Sequence, residues 1–358
     1  TPRSSSAASD VYKRQVTALP DDDAITQGID THFLSSGGRF KWDGQLMHSH
    51  VDGIDGYGGF MDATFTPRRG LIHFFGFDYI GEDVKIRDLG FIRQADIIAG
   101  QYGIVSTRSQ GMRHFRQTRS ALFFSGQTNT DGFANRVGIF ANRTMLLRNN
   151  SQIRVEVDYY PSRWDDINSR GNGMFRVDDR WFTQIAFGTD SAKPFSWSGT
   201  LGAEQEELDG SWTYSTDLGF TYTPIDNLSI DFDLRLKRRD GWLVHGTGRD
   251  FTTYEADDVQ PRLAIDFFIT ARQQLRLTAQ WAGVRAKAQR YFSVPLTDGD
   301  LVPRVLAPGD VNEDFALSRL TSQLRYRWEI GPLSDLFLVY TRGSNFANDD
   351  LNDEFGTL

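Results

Sequence analysis

Residues 228–237 read LSIDFDLRLK, and this stretch decides the fold class. Every even-numbered position in it is apolar and every odd-numbered position is polar. Successive side chains of a β-strand point to opposite faces, so alternation with a period of two predicts a strand with one apolar and one polar face. The same alternation recurs at 153–159, 212–222, 275–281 and 323–329. No comparable stretch has the spacing of an amphipathic helix, so we predict an all-β chain.

Short clusters of turn-forming residues separate the alternating stretches and can close hairpins. They lie at 35–38, 67–70, 110–112, 148–150, 190–194, 224–227, 271–274 and 331–335. Eight such turns predict about 16 antiparallel strands in this fragment. Several of the intervening connections are longer and polar, notably 293–314. Tight turns at one rim and long connections at the other are typical of outer-membrane barrels.

Composition excludes several other classes of protein. The 358 residues contain no cysteine, which excludes a disulfide scaffold and a cysteine-ligated metal site. No window approaches the roughly 18 to 20 consecutive apolar residues of a membrane-spanning helix. A net charge of −8 argues against a nucleic-acid partner, whose binding surface would be basic. The aromatic fraction of 13% is high for a chain this polar, and the spacing of the apolar residues must explain it.

A soluble sandwich of two sheets would show the same alternation. Two features favour a membrane barrel instead. The expected strands run to about 12 to 18 residues, whereas strands of soluble proteins average about 5 to 6. Aromatic residues such as Trp212, Tyr222 and Trp328 lie near turns, as the girdles of membrane barrels do. We therefore predict an antiparallel transmembrane β-barrel in the bacterial outer membrane, with membrane lipid as its partner.

Two segments carry a family resemblance: DLGFIR at 88–93 and LRYRWEIGPLSDLFLVYTR at 324–342. They resemble the barrel domain of a bacterial outer-membrane family of unknown function, in which the barrel usually follows a carbohydrate-binding-family-9-like module. The motif residues of the first segment are Asp88, Gly90, Phe91 and Arg93. The resemblance extends from about residue 24 to the end, and it implies a location and an architecture but no reaction.

The domain boundaries follow from the two ends of the chain. Residues 1–15 contain only small, polar and charged residues with one Val and one Tyr, and we expect them to be a leader foreign to the fold. Residues 16–358 are then one barrel domain, truncated at both ends. A barrel whose two termini both lie in the periplasm needs one more strand at each end, which predicts about 18 strands when intact.

The charged residues of the alternating strands are the candidate site. We expect them to face the lumen, with basic and acidic residues opposed across the pore, where they could set selectivity for polar solutes. Mutual neutralisation in a wet interior is the alternative explanation. The candidates are Arg154, Glu156, Asp158, Asp231, Asp233, Arg235, Lys237, Arg276, Arg325, Arg327 and Glu329.

A metal site is considered at His48, His50 and Asp52, which share one strand face. Residues two apart on a strand are separated by about 7 Å, which is too far for one ion without ligands from elsewhere. We therefore expect no metal and no other cofactor.

The function predicted first is a barrel that passes or captures polar solutes, with saccharides as the candidate class, aided by an N-terminal binding module outside this sequence. Two alternatives remain: a surface hydrolase built on the barrel, and a barrel that serves only as an anchor. No GxSxG elbow or similar nucleophile motif is present, which disfavours an enzyme.

Overall fold

The structure, a computed structural model, describes residues 11–18, 23–86, 94–306 and 313–348. Within these ranges every regular element is a β-strand. The chain divides into two compact units, one of residues 1–110, 117–143 and 158–164 and one of residues 111–116, 144–157 and 165–358. No helix in the described ranges is long and apolar enough to cross a membrane.

The first nine strands lie between residues 11 and 160, and the last three of them are each divided between the two units. They are β1 (Val11–Ala18), β2 (Asp23–Leu34), β3 (Phe40–Val51), β4 (Ile54–Arg68), β5 (Leu71–Ile80), β6 (Ile97–Arg108), β7 (Phe115–Thr128), β8 (Ala134–Leu147) and β9 (Gln152–Tyr160).

The remaining strands belong mainly to the second unit. They are β10 (Arg163–Asp165), β11 (Phe175–Val177), β12 (Arg180–Gly188), β13 (Phe195–Gln205), β14 (Trp212–Ile225), β15 (Leu228–His245), β16 (Asp250–Thr270), β17 (Gln273–Ser293), β18 (Gly299–Asp300), β19 (Val302–Arg304), β20 (Phe315–Gly331) and β21 (Ser334–Asn348).

Eighteen of these strands belong to one sheet, and β10, β11 and β18 form a second, small one. The registers of the large sheet are antiparallel, as in β2 with β3, β14 with β15 and β20 with β21. The predicted all-β antiparallel class is therefore confirmed, and all eight predicted turns connect consecutive strands. The large sheet exceeds the predicted count of about 16 strands because β1 and the three-residue β19 also belong to it.

Strand β1 includes residues 11–15 of the segment expected to be a leader, and it pairs along its length with β2. The leader itself, the truncation of the domain and closure of the sheet by further strands stay predictions.

The sheet of the second unit has two chemically different faces. Residues opposite each other in an antiparallel ladder point to the same side, so the alternation of each strand adds to that of its neighbour. Leu218 lies opposite Leu234, and Asp217 lies opposite Arg235. The apolar side is open: Leu218 is 48% exposed and Leu201 is 58% exposed. Apolar surface exposed over many adjacent strands is expected where a sheet faces lipid.

The buried core of the second unit lies at the ends of the long strands, beside the long connections. Phe175 of β11 is fully buried against Phe251, with the ring centroids 4.9 Å apart. Val177, Phe292, Val294 and Leu301 complete this cluster. A soluble sandwich would bury the apolar faces of its strands against a second sheet, whereas here they are exposed. This distribution of burial favours the membrane barrel over the sandwich.

Candidate functional site

The candidate site is the polar face of strands β12 to β17 and β20 in the second unit. Asp233 lies opposite Arg262 of β16, and Asp266 of β16 lies opposite Arg276 of β17. These registers bring predicted residues from separate strands onto one side of the sheet. The predicted residues on this face are Asp231, Asp233, Arg235, Lys237, Arg276, Arg325, Arg327 and Glu329.

The ion pairs of this face join nearest neighbours in the sheet. Arg235 Nε lies 2.6 Å from Asp217 Oδ1, on the adjacent strand. Arg262 Nη1 lies 3.1 Å from Asp233 Oδ2. Arg276 pairs with Asp266 through two atoms, with Nη2 2.7 Å from Oδ2 and Nε 2.8 Å from Oδ1. Pairing of this kind fixes the orientation of the side chains. It also places a positive and a negative group next to each other on each pair of adjacent strands.

Strand β9 repeats this local pattern. Arg154 Nη2 lies 2.8 Å from Glu156 Oε2, two residues along the same strand. The amide of Gln184 on β12 donates to the same oxygen at 2.7 Å. Asp158, the third candidate of this strand, belongs to the first unit and is buried. That the eleven candidates face a lumen stays a prediction.

Positive charge is concentrated where β17 meets β20. Arg276 lies directly opposite Arg325 in the ladder. In the described part of the chain Arg325 has no ion pair, whereas Arg276 is paired with Asp266. Further along β20, Arg327 pairs with Asp335 of β21 through two contacts of 3.0 Å.

Several partners on the polar face were missed by the sequence reasoning, namely Glu204, Asp217, Arg262 and Asp266. Arg262 and Asp266 alternate with Leu263, Ile265 and Phe267. That pattern was available in the sequence. Glu204 follows a stretch of glycine and small residues in β13, where alternation gives little signal.

Small residues open a hollow of about 410 Å³ on the polar face. Gly219 lies on its floor, where a Cβ atom would come within 2.8 Å of Asp233 Oδ1. Asp231, Asp266 and Arg276 contribute to its walls. In this hollow the carboxylates can accept hydrogen bonds from a polar solute, and the neighbouring guanidinium groups can donate hydrogen bonds to it.

The histidine pair considered as a metal site has a different partner. His48 Nε2 and His50 Nδ1 lie 2.9 Å and 2.8 Å from the same atom, Asp55 Oδ1. Asp52 lies in the turn between β3 and β4 with a φ of 54°. No group of three metal-ligating side chains is found among the described residues. Motif residues Asp88, Gly90, Phe91 and Arg93 lie outside the described residues.

Solved structures with a similar fold include bacterial receptors. The siderophore receptor PirA from Pseudomonas aeruginosa aligns with a TM-score of 0.53 at 11% identity, over 94% of this chain and 70% of that one. The alcaligin outer-membrane receptor FauA from Bordetella pertussis aligns with a TM-score of 0.48 at 11% identity, over 97% of this chain and 62% of that one. The chain thus spans 70% and 62% of the lengths of these receptors. At this identity the similarity shows the fold, and the predicted fold class is confirmed.

No curated protein matches the sequence. One family model does match, and it spans residues 16–357. Its description names no activity, in agreement with the resemblance to a family of unknown function. The chain belongs to the family of domains of unknown function DUF5916.

Proposed function

We propose that this chain is the barrel of an outer-membrane protein that passes or captures polar solutes, with saccharides as the candidate class. The observation that carries the proposal is the two-faced sheet of the second unit. One face exposes large apolar side chains, and the other presents ion pairs and a hollow lined by small residues. A sheet of this kind separates lipid from water and leaves the polar face as the surface that a solute meets.

The fold similarity to the siderophore receptor PirA supports a role at the cell surface. Because PirA is a receptor, we include capture of the solute in the proposal beside its passage. The proposal further includes an N-terminal saccharide-binding module that delivers or receives the solute, as the family resemblance suggests.

Planar lipid bilayers test passage directly. We expect the purified protein to give ion current and to let small sugars swell liposomes. Thr278→Trp should reduce both signals, because Thr278 lies in the hollow of the polar face. Thr216→Trp is the matched control, since Thr216 lies opposite Leu236 and Leu201 on the apolar face.

A protein that inserts into the bilayer but carries no current and no sugar would overturn passage and support the anchor alternative. Equal currents from the Thr278→Trp variant and the wild type would show that the polar face of β17 does not line the path.

A further inference from the structure

A cavity of about 590 Å³ lies on the polar face of the second unit, at the end of β15 remote from its short turn. Arg180, Glu204, Lys237 and Arg239 line its charged side. Cavities of roughly 300 to 1,000 Å³ hold small organic ligands in other proteins. This volume therefore fits a ligand of one or two rings.

An aromatic side chain reaches this cavity because β15 contains a bulge. Regular alternation would place Trp242 on the apolar face with Leu236. The register shifts between Arg239 and Trp242, and Trp242 lies opposite Tyr254. Gly241 supplies the φ of 83° at the shift. An extra residue in one strand turns the following side chains to the other face, so Trp242 joins the charged residues.

The cations of the cavity are not fully neutralised. Glu204 is shared, with Oε1 2.7 Å from Arg180 Nη1 and Oε2 3.6 Å from Lys237 Nζ. Arg239 has no ion pair in the described part of the chain, and its guanidinium carbon lies 4.5 Å from the centroid of the Trp242 ring. A cation held over an aromatic ring keeps its charge and its edge donors available.

A second carboxyl group at the cavity, that of Glu206, is buried. Glu206 is 8% exposed, and the hydroxyl of Thr213 donates to it. Burial raises the pKa of the Glu206 carboxyl, which favours its neutral form. The lining holds four cations, with Arg170 the fourth, against the three carboxyl groups of Glu204, Glu206 and Glu207. The cavity is therefore suited to an anion.

We propose that this cavity binds a small acidic ring compound, with its carboxylate on Arg239 and Lys237 and its ring against Trp242. A guanidinium group pairs with a carboxylate through two parallel hydrogen bonds, and an aromatic side chain offers a flat apolar face to a ring. Binding at this cavity goes beyond the proposed passage of solutes and does not depend on it.

Calorimetric titration of the whole protein in detergent micelles tests the proposal with two matched probes. The acidic probe is 4-nitrophenyl β-D-glucuronide, and the neutral probe is 4-nitrophenyl β-D-glucoside, which carries a hydroxymethyl group in place of the carboxylate. Hydrogen bonds to charged groups are stronger than those between neutral groups, so we expect the glucuronide to bind roughly tenfold or more tightly than the glucoside.

Two variants locate the contact. Arg239→Gln should weaken glucuronide binding by about tenfold or more and leave glucoside binding unchanged, and Arg239→Lys should restore part of the loss. Arg238→Gln is the matched control, because Arg238 lies opposite Tyr214 on the other face. Circular dichroism and heat-modifiable migration confirm that each variant is folded.

Equal affinities for the two probes, no binding of the glucuronide, or an unchanged affinity in Arg239→Gln would each overturn the proposal. Titrations with D-glucuronate and with 4-nitrobenzoate distinguish a sugar acid from an aromatic acid as the source of the same chemistry. Because these titrations need no ion current, their failure would leave the proposed passage of solutes intact.

Discussion

At the residue scale, Asp266 is the carboxylate that pairs with Arg276 on the polar face. It holds Arg276 through two atoms, while Arg276 lies opposite Arg325, which has no ion pair among the residues that the structure describes. Asp266→Asn should remove the carboxylate that is hydrogen-bonded to Arg276 and leave the two adjacent guanidinium groups less neutralised. For the proposed passage of ions along this face, we expect a selectivity shifted toward anions, with a changed reversal potential in a KCl gradient, and a stability lower by about 1 kcal/mol.

The control for this change is Asp226→Asn, which removes the same charge from the exposed turn between β14 and β15. It should change neither selectivity nor stability by a comparable amount. A reversal potential in Asp266→Asn equal to that of the wild type would show that ions do not pass beside Arg276.

Glu206 is the residue whose titration should be visible in the stability of the protein. It lies in the connection between β13 and β14, where burial is the main cause of a pKa raised above 4.5. Glu204 raises it further, whereas Arg239 and Lys237 lower it. A raised carboxyl pKa means that the stability present at acid pH is lost as the pH rises through the folded-state value.

We therefore expect Glu206→Gln to unfold at a higher urea concentration than the wild type at pH 8. The difference should shrink toward pH 4, where both side chains are neutral. Glu255→Gln is the control, because Glu255 is exposed and 3.4 Å from Arg238, so any effect of that pair has the opposite sign. A stability difference that does not change with pH would contradict this account of Glu206.

At the element scale, the bulge of β15 links the strand to the cavity. Gly241 has a φ of 83°, and a Cβ atom there would lie 2.9 Å from Ser211 Cβ. Gly241→Ala should therefore destabilise the protein by about 1 to 2 kcal/mol and displace Trp242 from the polar face. The measurements are the urea midpoint and the affinity for the glucuronide.

Gly37→Ala is the matched control for the bulge. Gly37 lies in the turn between β2 and β3, and a Cβ atom there would have no neighbour within 4 Å. Its substitution should leave both the midpoint and the affinity unchanged. If Gly37→Ala lowered the urea midpoint and the affinity as much as Gly241→Ala, the effect of Gly241→Ala could not be attributed to the bulge.

The same elements show what the sequence could predict. Alternation and turn chemistry are local properties of the sequence. The alternating stretches and the eight turns were therefore sufficient to predict the sixteen strands that these turns connect, the polar and apolar sides of those strands and the antiparallel class. The position of Trp242 was not predictable by counting, because one bulge reverses every face after it. Asp240-Gly241 is the local signal that could have indicated the bulge.

The small second sheet and the ion pairs of the polar face depend on contacts between residues that are distant in sequence. Strand β11 has three residues, and its pairing partner β18 lies more than a hundred residues later in the chain. Neither has an alternation long enough to detect. The pairing of Arg276 with Asp266 similarly required the register of β16 against β17. The sequence could therefore predict that the charged residues are on one face, but not which of them are paired.

At the scale of the whole molecule, the apolar face must lie in lipid for the proposed function to hold. Leu218 lies in the middle of β14, opposite Leu234, and is 48% exposed. Leu218→Arg places a charge on this face without touching the polar one. An arginine at the lipid face of a barrel costs about 2 to 4 kcal/mol near the middle of the bilayer.

We expect Leu218→Arg to fold into lipid vesicles with a lower yield and to lose the heat-modifiable migration of a folded barrel at a lower urea concentration. Thr221→Arg adds the same side chain to the polar face of the same strand, opposite Asp231, and should fold like the wild type. If the two variants behaved alike in vesicles, or if the wild type stayed soluble and folded without detergent, the apolar face would not be a lipid surface. The large exposed aromatic content of the chain would then require a protein partner, since water does not stabilise so much exposed apolar area.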